Sequence, residues 1–182
     1  MGTMYRILGV LFAFAVGLWG ASYLPEDSKR FELTRSDGVL IDSQQALANQ
    51  PYLITFGYTY CPDICPTTLA HVAAVLEAYP SPLQAVFVSV DPERDTLERL
   101  GQYAAYFDPS IWAVTGTTAQ LDRLKGEYSI YFQKTQGPDY LVDHSAGVLV
   151  MDSQHRVRGV LQEGESVAQS LATLENVLGP SQ

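Results

Sequence analysis

Cys61 and Cys65 are the only two cysteines of the 182-residue chain, and three residues separate them. A thiolate can attack a disulfide or ligate a soft metal. The pair follows the apolar run Tyr52–Tyr58 (YLITFGY) and precedes a stretch of helical periodicity from Pro66 to Tyr79. A site beyond a strand's C-terminal end is where open α/β sheets place their chemistry. The N-terminus of the following helix is expected to lower a thiol pKa. A redox dithiol of the thioredoxin kind has two residues between its cysteines, whereas Cys61 and Cys65 have three. Pro62 and Pro66 bend the loop away from simple helix. A disulfide across it requires a bent backbone that brings the Cα atoms close. A metal bridging two thiolates requires less, so the spacing tilts modestly toward metal, with disulfide exchange the alternative.

Two sulfurs alone rarely complete a metal site, and a neutral imidazole is the natural third ligand. The chain has three histidines. His71 falls in the first turns of the predicted helix, from which it could turn toward the thiols, but it reads first as a surface or half-buried residue. His155 falls in a hairpin turn, Ser153-Gln154-His155-Arg156, and reads as solvated. His144 lies in Asp143-His144-Ser145-Ala146-Gly147, just before an apolar strand. Spacing alone does not single it out, but in a thioredoxin-like sheet that loop packs beside the cysteine loop. Asp63 and Asp143 are near in sequence and read first as loop carboxylates and turn formers. Phe56, Tyr58 and Tyr60 alternate along the strand end, one face core and the other a shield for the thiols. Asp91-Pro92-Glu93-Arg94-Asp95 reads as a strand end, a proline turn and a helix cap, with partner docking as the sharper alternative.

The elements that position these groups follow from periodicity. Phe31–Thr34 and Val39–Ile41 flank Ser36-Asp37-Gly38 as a hairpin. Tyr52–Tyr58 and Gln84–Val90 are buried-type strands. The helix from Pro66 to Tyr79 places Leu69, Val72, Ala73, Leu76 and Tyr79 on one face. Asp95 is expected to cap a helix to Phe107, with Glu98 as its partner. Trp112–Val114 is a short strand, and Thr117 opens a helix ended near Gly126. Ile130–Lys134 is an edge strand, Gly147–Met151 and Val157–Leu161 form a hairpin, and Ser166 caps a last helix stopped by Gly179-Pro180. This order predicts an α/β, thioredoxin-like central sheet flanked by helices, with an N-terminal hairpin and an insertion around residues 112–135.

Composition narrows the classes. At 47% hydrophobic and 17% charged residues, the chain can bury a core without disulfide staples. The net charge of -9 and the lack of any Lys/Arg run argue against nucleic-acid binding. Residues 7–24 carry no charge, with Arg6 before them and Glu26 and Asp27 after. That pattern predicts a single-pass membrane anchor, or else a cleaved signal, with the rest of the chain outside. Residues 1–28 thus read as the membrane segment with a short linker, and residues 29–182 as the folded domain. The location that fits is the bacterial inner membrane, with the domain facing the periplasm or cell exterior.

Three motifs carry a family resemblance. Phe56-Gly57-Tyr58-Thr59-Tyr60-Cys61-Pro62-Asp63-Ile64-Cys65-Pro66-Thr67-Thr68-Leu69 resembles the signature of the SCO/SenC family, copper chaperones of cytochrome c oxidase assembly. Ser89-Val90-Asp91-Pro92-Glu93-Arg94-Asp95-Thr96 is similar to its second motif, and Tyr140-Leu141-Val142-Asp143-His144-Ser145 to its third. The resemblance implies a copper site on Cys61, Cys65 and His144. It implies a carrier that inserts copper into the dinuclear copper site of the oxidase. The partners implied are the copper-accepting oxidase subunit and a second copper chaperone as donor. The alternative is a thiol-disulfide reductase that keeps the target's copper-ligand cysteines reduced. Two thiolates and an imidazole suit Cu(I), one per chain, with zinc as competitor. Cu(II) would ask for a more tetragonal shell and an oxygen ligand. A peroxide-reducing relative would need an activating Arg, and none is close in the cysteine motif.

Overall fold

The computed structural model describes residues 28–137, 140–144 and 147–179. The anchor expected in residues 1–28 therefore lies almost wholly outside the described residues. Among those described, no helix is long and apolar enough to cross a membrane.

In chain order the elements are β1 (Glu32–Arg35), β2 (Leu40–Asp42), α1 (Ser43–Ala46), β3 (Tyr52–Gly57), α2 (Ile64–Ala78), β4 (Gln84–Ser89) and α3 (Leu97–Phe107). They continue with β5 (Trp112–Thr115), α4 (Thr118–Tyr128), β6 (Phe132–Lys134), β7 (Val142–His144), β8 (Val148–Met151), β9 (Val157–Leu161) and α5 (Val167–Leu178). Seven strands make one mixed sheet in the order β2-β1-β5-β4-β3-β8-β9, and β6 and β7 make a separate two-stranded ribbon. β3, β4 and β5 run parallel, while β8 lies antiparallel to β3 and β9 antiparallel to β8. This is the thioredoxin-like α/β arrangement that the motif order predicts.

Every residue of β3 is buried, as a central strand covered on both faces requires. Alternation divides its side chains: Ile54 and Phe56 join the cluster with Leu121, Leu124 and Tyr128 of α4. Leu53 joins Leu69, Val72 and Val75 of α2, Leu100 of α3 and Leu174 of α5 on the opposite face. Each such aliphatic side chain contributes about 1.5–3 kcal/mol on burial. Helices thus cover both faces, and β3 ends between them.

Several expectations are corrected. α2 starts at Ile64, two residues before Pro66, and buries Cys65 and Val75 together with the expected Leu69 and Val72, while the expected Leu76 is half-buried against the same core. Proline is tolerated in this first turn because its N–H would have no intrahelical partner there. Thr96, not Asp95, caps α3, its hydroxyl accepting from Arg99 N, because the Asp95 carboxylate is spent on buried donors described below. α4 runs through Gly126 to Tyr128 and ends on Ser129 at φ 54°, a run that buries Tyr128. β5 belongs to the main sheet, so the true insertion is the β6–β7 ribbon, whose second strand the periodicity does not show. His155 is buried at 5% exposure, not solvated. Its turn has φ 60°, its carbonyl accepts from Lys29 N, and its Nδ1 stands 3.3 Å from Tyr52 Oη.

Candidate metal centre

β3 delivers the chain at Gly57 into a tight loop, in which Cys61 N donates to Tyr58 O at 3.3 Å. The loop closes into α2, where Cys65 N donates to Cys61 Sγ at 3.4 Å. Both cysteines are free thiols, with exposures of 9% and 3%. Gly57 is required by this geometry: a Cβ there would lie 2.7 Å from Cys65 Sγ and 2.9 Å from the Phe87 ring. The strand can therefore pass close under the thiol only without a side chain.

β7 brings the third group. His144 Nε2 lies 3.4 Å from Cys65 Sγ, and its ring meets Tyr58 edge-on, with centroids 6.1 Å apart. One ligand atom from each of Cys61, Cys65 and His144 lies within 4.8 Å of the others, and among the described residues no other group of three or more His, Cys, Asp or Glu side chains is placed to hold a metal. Asp63 and Asp143 are exposed and stand outside it. A cavity of about 10 Å³ lies beside Cys65 and His144, at the lower limit of what one water occupies.

Burial pushes the Cys65 thiol well above its ordinary value, and neighbouring Cys61 and Asp95 add to the rise against a backbone hydrogen bond from Tyr58. The expected depression by the helix N-terminus is thus overridden by desolvation. Burial therefore favours the neutral thiol, and a metal bound there would have to displace its proton.

The two other histidines are elsewhere. His71 Nε2 is 2.8 Å from Ser170 Oγ, and His155 lies against Tyr52. Phe56 and Tyr58 are buried at 4% and 2% in one cluster, whereas Tyr60 is 45% exposed. The expected split into a core face and a shielding face is corrected, because β3 ends at Gly57 and Tyr60 turns outward against Arg94 and Arg99.

The second motif does more than turn the chain. Asp95 accepts from Thr59 N (3.0 Å), Thr59 Oγ1 (2.6 Å) and Ser89 Oγ (2.6 Å), which fixes the loop two residues before Cys61. Arg94 and Arg99 lie 4.9 and 4.0 Å from the Tyr60 ring centre. Arginines absent from the cysteine motif in sequence are therefore beside it in space. Arg99 Nε donates to Thr59 Oγ1, and Arg94 to Asp91 and the Tyr140 carbonyl. Sequence reasoning gave Gly57, Thr59 and Tyr140 no individual role and read Arg94 only as part of the Asp91–Asp95 turn. The motifs themselves contained all four, but only the fold shows them meeting.

With this geometry in hand, the comparison with known proteins is decisive: the SCO1/SenC family model matches residues 22–179. The chain belongs to the SCO1/SenC family. Among curated SCO relatives it is similar to the mitochondrial SCO2 homologue of Homo sapiens, with 37% identity over 141 residues covering 69% of this chain and 53% of that protein. It thus spans about half the length of that relative. Among solved structures it is similar to Arabidopsis thaliana ScoI with copper bound, at TM-score 0.76 and 30% identity over 82% of this chain and 96% of that one. It is also similar to Bradyrhizobium japonicum ScoI with copper bound, at TM-score 0.74 and 34% identity over 83% and 99% of the two chains. The SCO1/SenC match spans the cysteine loop, the second motif and the histidine ribbon together.

Proposed function

We propose that the chain binds one copper ion through Cys61 Sγ, Cys65 Sγ and His144 and assists its insertion into the dinuclear copper site of cytochrome c oxidase. The observation that carries this reading is the convergence of those three donors within 4.8 Å. Two soft sulfurs and one imidazole favour Cu(I) over harder ions. Zinc in a structural site would be closed by four protein ligands. Three ligands leave a position at which an acceptor's thiolate can attack, so copper is cargo rather than a resident cofactor. The half-buried His144 stands on the outer side of two buried thiols and is the ligand that exchange would displace. The likeness to two ScoI structures with copper bound supports the same cargo.

The partners in this reading are the copper-accepting oxidase subunit and a second copper chaperone that loads the site. Residues 1–28 hold the chain in the bacterial inner membrane, and the domain works on the periplasmic or outer side. The reaction is transfer between coordination sites and leaves Cys61 and Cys65 as thiols.

The deciding experiment is anaerobic titration of the reduced protein with Cu(I) against a competing chelator, beside Cys61→Ser, Cys65→Ser and His144→Ala. One equivalent bound tightly by the native chain, and lost in each variant, is the expected result. Weak binding indifferent to His144 would overturn the proposal and turn attention to the dithiol's reduction potential. His71→Ala should bind as the native chain does.

A further inference from the structure

The Asp91–Asp95 run stands between the two parts that carry the metal donors. Asp91 is fully buried. Its carboxylate accepts from Arg94 Nε at 2.5 Å and Tyr140 Oη at 2.8 Å, with Lys134 Nζ at 3.4 Å. One of these donors lies in its own turn. The other two belong to the ribbon side: Lys134 closes β6, and Tyr140 lies four residues before His144.

Arg94 completes the connection. Its Nη1 donates to the Tyr140 carbonyl at 2.9 Å. Its guanidinium face lies 3.7 Å from the Tyr140 ring centre, 4.9 Å from that of Tyr60 and 5.6 Å from that of Tyr58. Tyr60 immediately precedes Cys61, and Tyr58 packs on the His144 ring. A single planar cation therefore touches the segment before the first thiol and the segment before the imidazole. Among the described residues, none of its side-chain hydrogen bonds goes to a strand of the seven-stranded sheet. Only a guanidinium offers this combination: a fork of donors fixed in a plane, with a flat face that stacks on rings. A lysine would keep the charge opposite Asp91 but not the second hydrogen bond or the stack.

We propose that Arg94 is a positioning residue for the metal centre. It clamps the β6–β7 ribbon against the cysteine loop and so sets the separation of His144 from Cys61 and Cys65. The proposal rests on the three-ligand reading above and deepens it. Partners of metal ligands that only orient them change affinity about 10- to 100-fold on removal, and that is the effect assigned to Arg94.

The test is a double-mutant cycle on the full chain, with Cu(I) as the probe, titrated anaerobically against a competing chelator. Four proteins are compared: native, Arg94→Lys, His144→Ala and the double variant. Arg94→Lys is expected to weaken binding about 10- to 100-fold in the native background and to add almost nothing to His144→Ala. Non-additivity of this kind is the mark of a residue acting through its neighbour. When loaded with Cu(II), Arg94→Lys is expected to lose the nitrogen hyperfine coupling of the imidazole. Undiminished affinity in Arg94→Lys, or the same loss with and without His144, would overturn the proposal. Should Arg94→Lys not fold, Tyr140→Phe removes the hydroxyl that bonds Asp91 and Lys134 and keeps the ring and carbonyl that Arg94 contacts. It should give a smaller loss that also requires His144, and its indifference would overturn the proposal equally. Weakened binding in His144→Ala with none in Arg94→Lys removes the clamp alone. Native affinity in His144→Ala removes the three-ligand reading and the clamp together.

Discussion

Cys61 and Cys65 are built onto the seven-stranded sheet, at the end of a fully buried strand and in the first turn of a helix packed on it. His144 is carried by a ribbon of two three-residue strands, which shares no hydrogen-bonded ladder with that sheet. A two-stranded ribbon has little stability of its own. Its place is set by a few tethers: Val142 N donating to Tyr58 Oη at 3.2 Å, the buried side chains of Phe132 and Val142, and the contacts of Asp91 and Arg94. The thiols are thus part of the fold's own stability, while the imidazole is an addition held against it. In the proposed three-donor reading, such a division would let one ligand be exchanged without unfolding the others.

Substitutions on the two sides should therefore separate stability from metal affinity. The largest effect is expected from Asp95→Ala, which leaves Thr59 N, Thr59 Oγ1 and Ser89 Oγ without their acceptor in a buried site. It should cost about 2–4 kcal/mol in denaturant unfolding of the metal-free protein, from the penalty of unsatisfied buried donors. Gly57→Ala comes next. Its Cβ must displace Cys65 Sγ or Phe87, at about 1–3 kcal/mol for overpacking, and copper affinity should fall with stability. An unchanged affinity in this variant would show that the thiol can move without loss, against the fixed-thiol half of the comparison.

Tyr58→Phe tests the other half. It leaves Val142 N without its acceptor in a buried site, which should cost about 1–3 kcal/mol in unfolding, and copper binding should weaken severalfold in chelator competition. Native copper affinity in this variant would deny that this tether sets the place of the ribbon. The smallest effect concerns His155, remote from the metal. Burial lowers its pKa below the ordinary 6.5, against the opposing charges of Asp152 and Asp42. The unfolded chain then takes up the proton first. The stabilising contribution is fully present above the unfolded value and is lost as pH falls through the folded one. Thermal melts from about pH 7.5 to 5 should show a shallower decline for His155→Asn than for the native chain, since Asn tolerates the positive φ. Copper affinity should be the same in both.

The sheet side of the centre was largely legible in the sequence. Apolar runs such as QAVFVSV read as strands because both faces of β4 are buried, and Thr117 and Ser166 cap their helices in full capping boxes. The helix start at Ile64 was missed because Pro66 looks like a boundary. Asp95 was misread because a carboxylate before a helix has an obvious local use, and only the tertiary fold shows Thr59 and Ser89 taking it instead. The ribbon was half legible. Phe132–Lys134 had strand character, but Val142–His144 is too short for periodicity and gains its structure from its partner strand. His155 was misplaced for a related reason: a histidine in a polar turn is ordinarily solvated, and nothing local marks the ring of Tyr52 waiting for it. The histidine that stands beside the thiols was singled out through motif resemblance and topology together, because spacing did not distinguish it.

The antiparallel pairing of β3 with β8, which matches Ile54 with Leu149, bears on how the protein is made. A chain synthesised from its N-terminus presents both thiols 79 residues before the imidazole closest to them. At about 5–20 residues per second, the dithiol exists for several seconds or more without its third donor. The donor's flanking strand β8 must emerge as well before β3 has its antiparallel neighbour. In the proposed reading the complete donor set thus arrives late in translation, and ions met earlier would find only a two-donor loop.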